Sequence, residues 1–171
     1  MSSTYPPLKC KVRFTLEKGT LDEQIPWPPC KDESLWGELT GPGTARLLNV
    51  PFYAKGVSYL DEVNITDPMP PHSMSRDDIG PNFFCFESVS KRSGHATVRA
   101  ILRSENHRQA AEETISQIER LGCRWESADQ GLLSIDIPPE VDERRVMQIL
   151  ETSAFEGQIY VDVGVLRNEV S

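Results

Sequence analysis

The chain has 171 residues, of which 38% are hydrophobic and 26% are charged, and its formal net charge is −8. This composition is that of a globular protein with a buried core, long enough for one large domain or two small ones. No apolar run approaches the roughly 20 residues that a membrane-spanning helix needs. The first residues also lack the basic-then-apolar order of a secretory signal. We therefore expect a cytoplasmic protein.

The negative charge is concentrated in the second half of the chain. Residues 1–95 carry 10 basic against 12 acidic side chains, whereas residues 96–171 carry 8 against 14. An acidic surface repels nucleic acid and anionic membranes and attracts basic partners. We expect no nucleic-acid partner and no membrane partner, although the charge can also serve solubility alone.

The first half has the pattern of a small antiparallel barrel or a curled sheet. The stretch Gly19–Lys31 contains prolines 26, 28 and 29 and is expected to be an irregular connection, and residues 66–81 are expected to be a proline-rich loop. Strand-like runs separated by turn residues cover Lys9–Leu16, Ser34–Leu39, Thr44–Leu48, Val57–Ile65 and Phe83–Val89.

The second half has the element order β-α-β-β-α-β, which is typical of the ferredoxin-like fold. We predict that Asn106 caps the first helix and that Gly122 ends it. The predicted fold class is α+β, with a barrel-like domain over residues 1–95 and a ferredoxin-like domain over residues 96–171. The predicted elements are a strand Thr97–Arg103, a helix over about 108–121, strands Cys123–Ser127 and Leu132–Ile137, a helix through about Ser153 and a strand Gln158–Val163.

Cysteine and histidine spacing gives no metal or cofactor motif. The four cysteines, at positions 10, 30, 85 and 123, form no CxxC pair, and the three histidines belong to no H-x-x-x-H or H-x-E set. We expect reduced, structural cysteines, no bound metal and no cofactor.

The loop Ser93–Thr97 is the strongest enzymatic candidate because His95 could act as a base near neutral pH. A nucleophile would also need activation and an oxyanion site, and the chain has no G-x-S-x-G elbow. The alternative is that Gly94 permits the turn between the halves and His95 only hydrogen-bonds nearby. We expect a protein that is not an enzyme.

Four aromatic residues are considered for a binding role or a structural role. Phe52 and Tyr53 either form an exposed binding loop or help to close the barrel core, and Trp36 is expected in that core. Trp125 lies on a strand that an RNA-recognition module would use for stacking, but its acidic neighbours argue against RNA.

Several phrases carry a family resemblance through their order and spacing. They are ESLWGE at 33–38, LNVPFYA at 48–54, GVSYLDEV at 56–63, SGHATVR at 93–99, LGC at 121–123 and SIDIP at 134–138. Together they resemble a largely uncharacterised bacterial family with a domain of unknown function. Some members of that family resemble immunity proteins, which neutralise secreted antibacterial toxins. The chain departs from the family in the long insert Asp67–Pro81, and inserted loop residues often meet a specific partner.

The resemblance and the charge together predict an immunity protein that binds a cognate toxin, such as a basic nuclease, as a monomer in a tight 1:1 complex. The alternative is a small-molecule-sensing regulatory module that acts as a homodimer, and a hydrolase using His95 is a third hypothesis. Asp142 and Glu143 also have a structural explanation at a helix N-terminus. The candidate partner contacts are Asp77, Asp78, Glu126, Asp129, Glu140, Asp142, Glu143, Met69, Met74 and Phe83.

Overall fold

The computed structural model describes residues 8–67, 82–129 and 131–169, and it has a mixed α+β architecture. Short 3-10 turns cover Glu105–His107 and Arg167–Glu169. The strands and α-helices of the described residues are β1 (Lys9–Thr15), β2 (Gly19–Leu21), β3 (Ile25–Trp27), β4 (Asp32–Gly41), β5 (Thr44–Leu47), β6 (Glu62–Thr66), β7 (Phe83–Lys91), β8 (Ala96–Leu102), α1 (Arg108–Arg120), β9 (Arg124–Asp129), β10 (Leu132–Ile137), α2 (Glu143–Phe155) and β11 (Ile159–Val165).

Five strands of the N-terminal half form a closed barrel in the order β1-β4-β5-β6-β7. The neighbours are antiparallel except β1 and β7, which close the barrel in parallel at Lys11 opposite Phe83. Alternate residues of β1, Cys10, Val12 and Phe14, point into the barrel core and are buried. The predicted barrel is therefore confirmed.

The connection between β1 and β4 is more regular than predicted. Residues 19–21 and 25–27 form a two-stranded antiparallel ribbon, so the expectation of an irregular segment is wrong. Each strand of an isolated ribbon has one edge without a hydrogen-bonded neighbour. Pro26, which has no N–H to donate, is therefore tolerated in β3.

The strand predicted over Val57–Ile65 begins only at Glu62. Residues 57–61 form a turn in which Leu60 has a positive φ of 63° and the Asp61 carboxylate accepts the N–H of Ser58 at 3.0 Å. A side chain that binds its own backbone three residues away competes with strand pairing, and this explains the later start.

Trp36 does not lie in the barrel core, which corrects the prediction. Its side chain is 48% exposed on the outside of β4, where the Lys11 ammonium lies 4.7 Å from its ring centroid. The inward positions of β4 are instead Glu33, Leu35 and Gly37. Because alternate residues of a strand point to opposite faces, this register places Trp36 outside.

The C-terminal half is a four-stranded sheet in the order β11-β8-β10-β9, with antiparallel neighbours throughout. The elements follow one another as β-α-β-β-α-β, as expected. Both helices pack on one face of the sheet, where Ile118 and Leu150 meet Val98 and Ile135 in an apolar core separate from that of the barrel.

The helix ends agree only partly with their predicted signals. Gly122, with φ of 104°, follows α1 as expected, and Asp142 caps α2 by accepting the N–H of Arg144 at 3.0 Å. Asn106 is not the N-cap of α1, because it lies inside the preceding 3-10 turn, which Ser104 caps. Within the described ranges, no helix combines the length and apolarity needed to cross a membrane.

Candidate functional site

The sheet face turned away from the helices carries polar side chains that are buried. Thr97 and Arg99 come from β8, Ser134 and Asp136 from β10, and Asp162 from β11. The loop between β5 and β6 lies against these side chains, so this face joins the sheet to the barrel. We call these five residues and the groups they bind the polar joint.

Arg99 is at the centre of the polar joint and is 0% exposed. Its guanidinium donates to the carbonyls of Pro51, at 3.3 Å, and Ala54, and to the Asp162 carboxylate at 3.3 Å. Burial lowers the pKa of Arg99, while Asp162 acts in the opposite direction. A fully buried guanidinium needs such partners, since an unpaired charge in the interior is very costly.

Glu33 holds the other side of the same loop. Its carboxylate accepts three consecutive backbone N–H groups, from Phe52 at 2.7 Å, Tyr53 at 2.9 Å and Ala54 at 2.8 Å. The loop therefore gives its N–H groups to a buried anion of the barrel and its carbonyls to the cation of the sheet. Phe52 and Tyr53 are half-buried, and the Tyr53 ring packs against Trp27 at 5.3 Å.

His95 lies at the same junction, and its side chain is 10% exposed. Its Nδ1 lies 2.6 Å from an oxygen of the buried Asp136, whose other oxygen accepts from Arg124 at 3.1 Å. The ring of Tyr59 meets the imidazole edge-on at 5.4 Å. These contacts tie the turn before β6 to the sheet.

A cavity of about 370 Å³ lies between α1 and the β9 edge of the sheet. Its inner surface is apolar, with Ile115 from the helix and Leu133 from the sheet, and Trp125 of β9 forms one wall. The Trp125 ring is 40% exposed, and its Nε1–H donates to Glu119 at 2.7 Å. This is an open apolar cavity whose exposed rim carries Arg108, Glu112 and Glu119. A smaller cavity of about 220 Å³ adjoins Tyr59 and Arg124 at the polar joint.

The predicted acidic contacts that the structure describes differ in exposure and in the groups they bind. Glu143 is buried, and its carboxylate binds Arg167 N–H at 2.8 Å, so it is not available to a partner and that prediction needs correction. Glu126 is half-buried and accepts the Val50 N–H at 3.4 Å, while Asp142 is exposed but caps α2.

The remaining predicted contacts are divided between described and undescribed residues. Glu140 is exposed before α2, and Asp129 is the last residue of β9. Phe83 is half-buried at the start of β7. The candidates of the proline-rich insert lie outside the described residues: Met69, Met74, Asp77 and Asp78.

The four cysteines are free thiols. Burial raises the pKa of the Cys123 thiol to about 11, and Asp136 adds to this effect, so the thiol is protonated at neutral pH. Over the part of the chain that the structure describes, no three His, Cys, Asp or Glu residues are grouped as metal ligands.

Sequence reasoning missed the polar joint and one exposed aromatic residue. Arg99 and Glu33 lie in the phrases that carry the family resemblance, but their burial depends on contact between distant segments. Phe155, the last residue of α2, is 95% exposed. Phe155 lies off the apolar stripe of α2. That position is the one sequence signal that could have predicted its exposure.

Comparisons with known proteins agree with this architecture. A hypothetical protein from Neisseria gonorrhoeae has a similar solved structure, with a TM-score of 0.64 and 16% identity over 95% of this chain and 96% of that one. No curated protein sequence matches the chain. The profile of the domain of unknown function DUF4265 matches residues 33–161. This range includes both the loop of the polar joint and most of the C-terminal sheet, and the chain belongs to the DUF4265 family.

Proposed function

We propose that the protein is an immunity protein that binds a cognate protein toxin and neutralises it without catalysis. The observation that carries this proposal is Phe155, whose side chain is 95% exposed at the end of α2. Aromatic side chains are enriched among the residues that dominate protein–protein binding, because they remove much apolar area from water. A partner that covered this almost fully exposed ring would gain the free energy of removing its apolar area from water.

The surroundings of Phe155 fit a basic partner. Glu151 lies one helical turn before it and Glu156 follows it, and both are exposed. Glu156 also lines a groove of about 330 Å³ between α1 and α2. An aromatic anchor with carboxylates around it matches the usual arrangement of an apolar centre and a polar rim. The formal net charge of −8 adds attraction for a basic toxin such as a nuclease.

We also propose that residues 96–171 form a ferredoxin-like domain and residues 1–95 a barrel domain. The sheet order β11-β8-β10-β9, with both helices on one face, supports the first assignment. Two separate apolar cores support the division. In this proposal the polar joint holds the two domains as one rigid body, which reduces the ordering cost of binding a partner.

The experiment is an affinity capture from the native organism with three tagged proteins: wild type, Phe155→Ala and Trp36→Ala. Trp36 is an exposed aromatic residue of the opposite half and serves as the matched control. We expect one basic protein to be retained by the wild type and the Trp36 variant, and to be lost or weakened at least tenfold by Phe155→Ala.

The captured protein is then expressed alone and together with the immunity protein. Growth arrest that co-expression relieves, and that Phe155→Ala fails to relieve, supports the proposal. A captured protein that is harmless, or whose retention is independent of Phe155, contradicts it. Melting temperatures of the variants show whether a loss comes from unfolding, and we expect Phe155→Ala to melt like the wild type because the ring is exposed.

A second candidate function is a small-molecule-sensing module that pairs as a homodimer. The cavity beside Trp125 favours it, because its volume of about 370 Å³ falls in the range of small-ligand sites. Sedimentation with and without a ligand tests this candidate. A ligand that leaves the association state unchanged contradicts sensing through dimerisation.

A further inference from the structure

We infer that the cavity between α1 and the β9 edge binds a small aromatic or aliphatic compound that carries one positively charged amine. This inference deepens the second candidate function, because both rest on the same cavity, and it is independent of toxin binding. It names the ligand class of that cavity from the side chains that line it.

Small residues create the space. Ala111 and Ser116 of α1 face Ala100 of β8 and Gly131 before β10 around the cavity. Elsewhere in the same core, positions between helix and sheet are occupied by larger side chains such as Ile118, which is fully buried. The open cavity of about 370 Å³ that results has room for a small ligand.

The lining selects an apolar body of the ligand. Leu102, Ile115, Leu133 and Ile159 supply aliphatic surface, and the Trp125 ring supplies an aromatic wall. The hydrogen bond from the Trp125 Nε1–H to Glu119 fixes the ring before a ligand arrives. A preformed wall of this kind favours stacking with an aromatic ring or contact with an alkyl chain.

The charges at the entrance select a cation. Arg108 is bound through two nitrogens to both oxygens of Glu105, at 2.7 Å each, so this pair is neutral as a unit. The hydrogen bond from Arg108 lowers the pKa of Glu105, which keeps that carboxyl ionised. Glu112 and Glu119 then leave the lining with net negative charge. An amine near the Trp125 ring also gains a cation–π attraction.

The test uses three probes of nearly equal size: 4-phenylbutylamine, 4-phenylbutanol and 4-phenylbutyrate. Binding is followed by the indole N–H signals of the protein in NMR spectra, with Trp125→Phe assigning the signal of Trp125. We expect the Trp125 signal to shift on titration and those of Trp27 and Trp36 to stay. The amine should bind about fivefold more tightly than the alcohol, and the carboxylate more weakly than both.

Matched variants locate the site and the charge. Ala111→Phe fills the cavity and should abolish binding of all three probes, whereas Ala110→Phe, one residue away and outside the lining, should not. Glu112→Gln should reduce the preference for the amine to less than about twofold, whereas Glu113→Gln should retain it. Ser116→Phe replaces Ala111→Phe if the latter fails to fold by circular dichroism.

Each outcome tests a different part of the inference: the ligand class, the site or the link to dimerisation. If the carboxylate binds as well as the amine, the ligand class is wrong while the cavity remains a binding site. If no probe shifts the Trp125 signal, the site itself is wrong. If the amine binds but the association state does not change, sensing through dimerisation is contradicted and the inferred site stands.

Discussion

The face of the C-terminal sheet that meets the helices and the face that meets the barrel bury residues of opposite character. The helix side is aliphatic, with Val98 and Ile135 at its centre, and it leaves a cavity at the β9 edge. The barrel side buries Arg99, Asp136 and Asp162. Among the described residues, no buried side-chain nitrogen or oxygen lacks a hydrogen-bond partner.

The difference indicates which side is free to bind a small ligand. A satisfied polar network is directional, so it fixes one arrangement of barrel and sheet and tolerates little change. Aliphatic packing is not directional, so small side chains can leave space without orphaning a polar group. We therefore expect substitutions on the barrel side to act on stability and substitutions around the cavity to act on binding.

The largest effect is expected from Arg99→Met. Removing the guanidinium leaves the buried Asp162 with fewer partners, takes the donor from the Ala54 carbonyl and leaves the Pro51 carbonyl with Ser134 alone. We expect a cost of about 3–5 kcal/mol in the free energy of unfolding. Urea unfolding measures this cost. Arg120→Met, at an exposed position on α1, should change it by less than about 0.5 kcal/mol.

Gly164→Ala offers an independent way to disturb the same side chain. A Cβ at this position would lie 2.7 Å from Arg99 Nη1 and 3.0 Å from the Thr97 carbonyl oxygen. If both Arg99→Met and Gly164→Ala unfold at the urea concentration of the wild type, the polar joint does not stabilise the protein.

Glu33→Gln should have the next largest effect. The amide has one oxygen in place of two and no charge, so the three N–H groups of residues 52–54 lose charge-assisted acceptors. We expect a loss of about 2 kcal/mol and faster hydrogen exchange at these three amides. The exposed Glu17→Gln is the control, and equal exchange rates in both variants would show that the loop is held by other contacts.

His95 distinguishes a structural link from a base. His95→Asn can still donate to Asp136 from its amide, whereas His95→Leu leaves that carboxylate with one partner fewer. We expect Asn to cost less than Leu by about 1 kcal/mol in thermal or urea unfolding. Equal losses would mean that the shape of the ring, and its contact with Tyr59, matters more than the hydrogen bond.

Elements with a strong local pattern were predictable from the sequence. β10 was predicted at its observed bounds, Leu132–Ile137, and α1 to within one residue at its end. Each is set by the spacing of its own apolar residues and by the glycine or proline that follows. The closed barrel was also predictable as a class, since five short strands with turns between them have few other solutions.

The polar joint was not predicted, and Trp36 was predicted on the wrong face of its strand, for two different reasons. The strand pattern around Arg99 gives one apolar and one polar face, which is also the pattern of a strand with one face in water. Its burial comes from the packing of a loop about 45 residues earlier in the chain, so no local signal exists. Trp36 was predicted to be buried because of its size. The pairing of Leu35 with Val12 instead sets which residues of β4 point into the barrel, and it places Trp36 on the outer face.

The one effect confined to alkaline pH is a pH dependence of stability that comes from Cys123. Burial raises the pKa of this thiol from 9.0 to about 11, so the folded state binds the proton more tightly than the unfolded state does. The resulting stabilisation is complete below pH 9 and is lost as the pH rises toward 11, with a loss of about 1.4 kcal/mol at pH 10. Cys123→Ala should therefore be less stable than the wild type at pH 8 but lose less stability between pH 8 and pH 10. Parallel stability curves for the two proteins over this range would show that the buried thiol, which lies on the helix side of the sheet, does not contribute to the pH dependence.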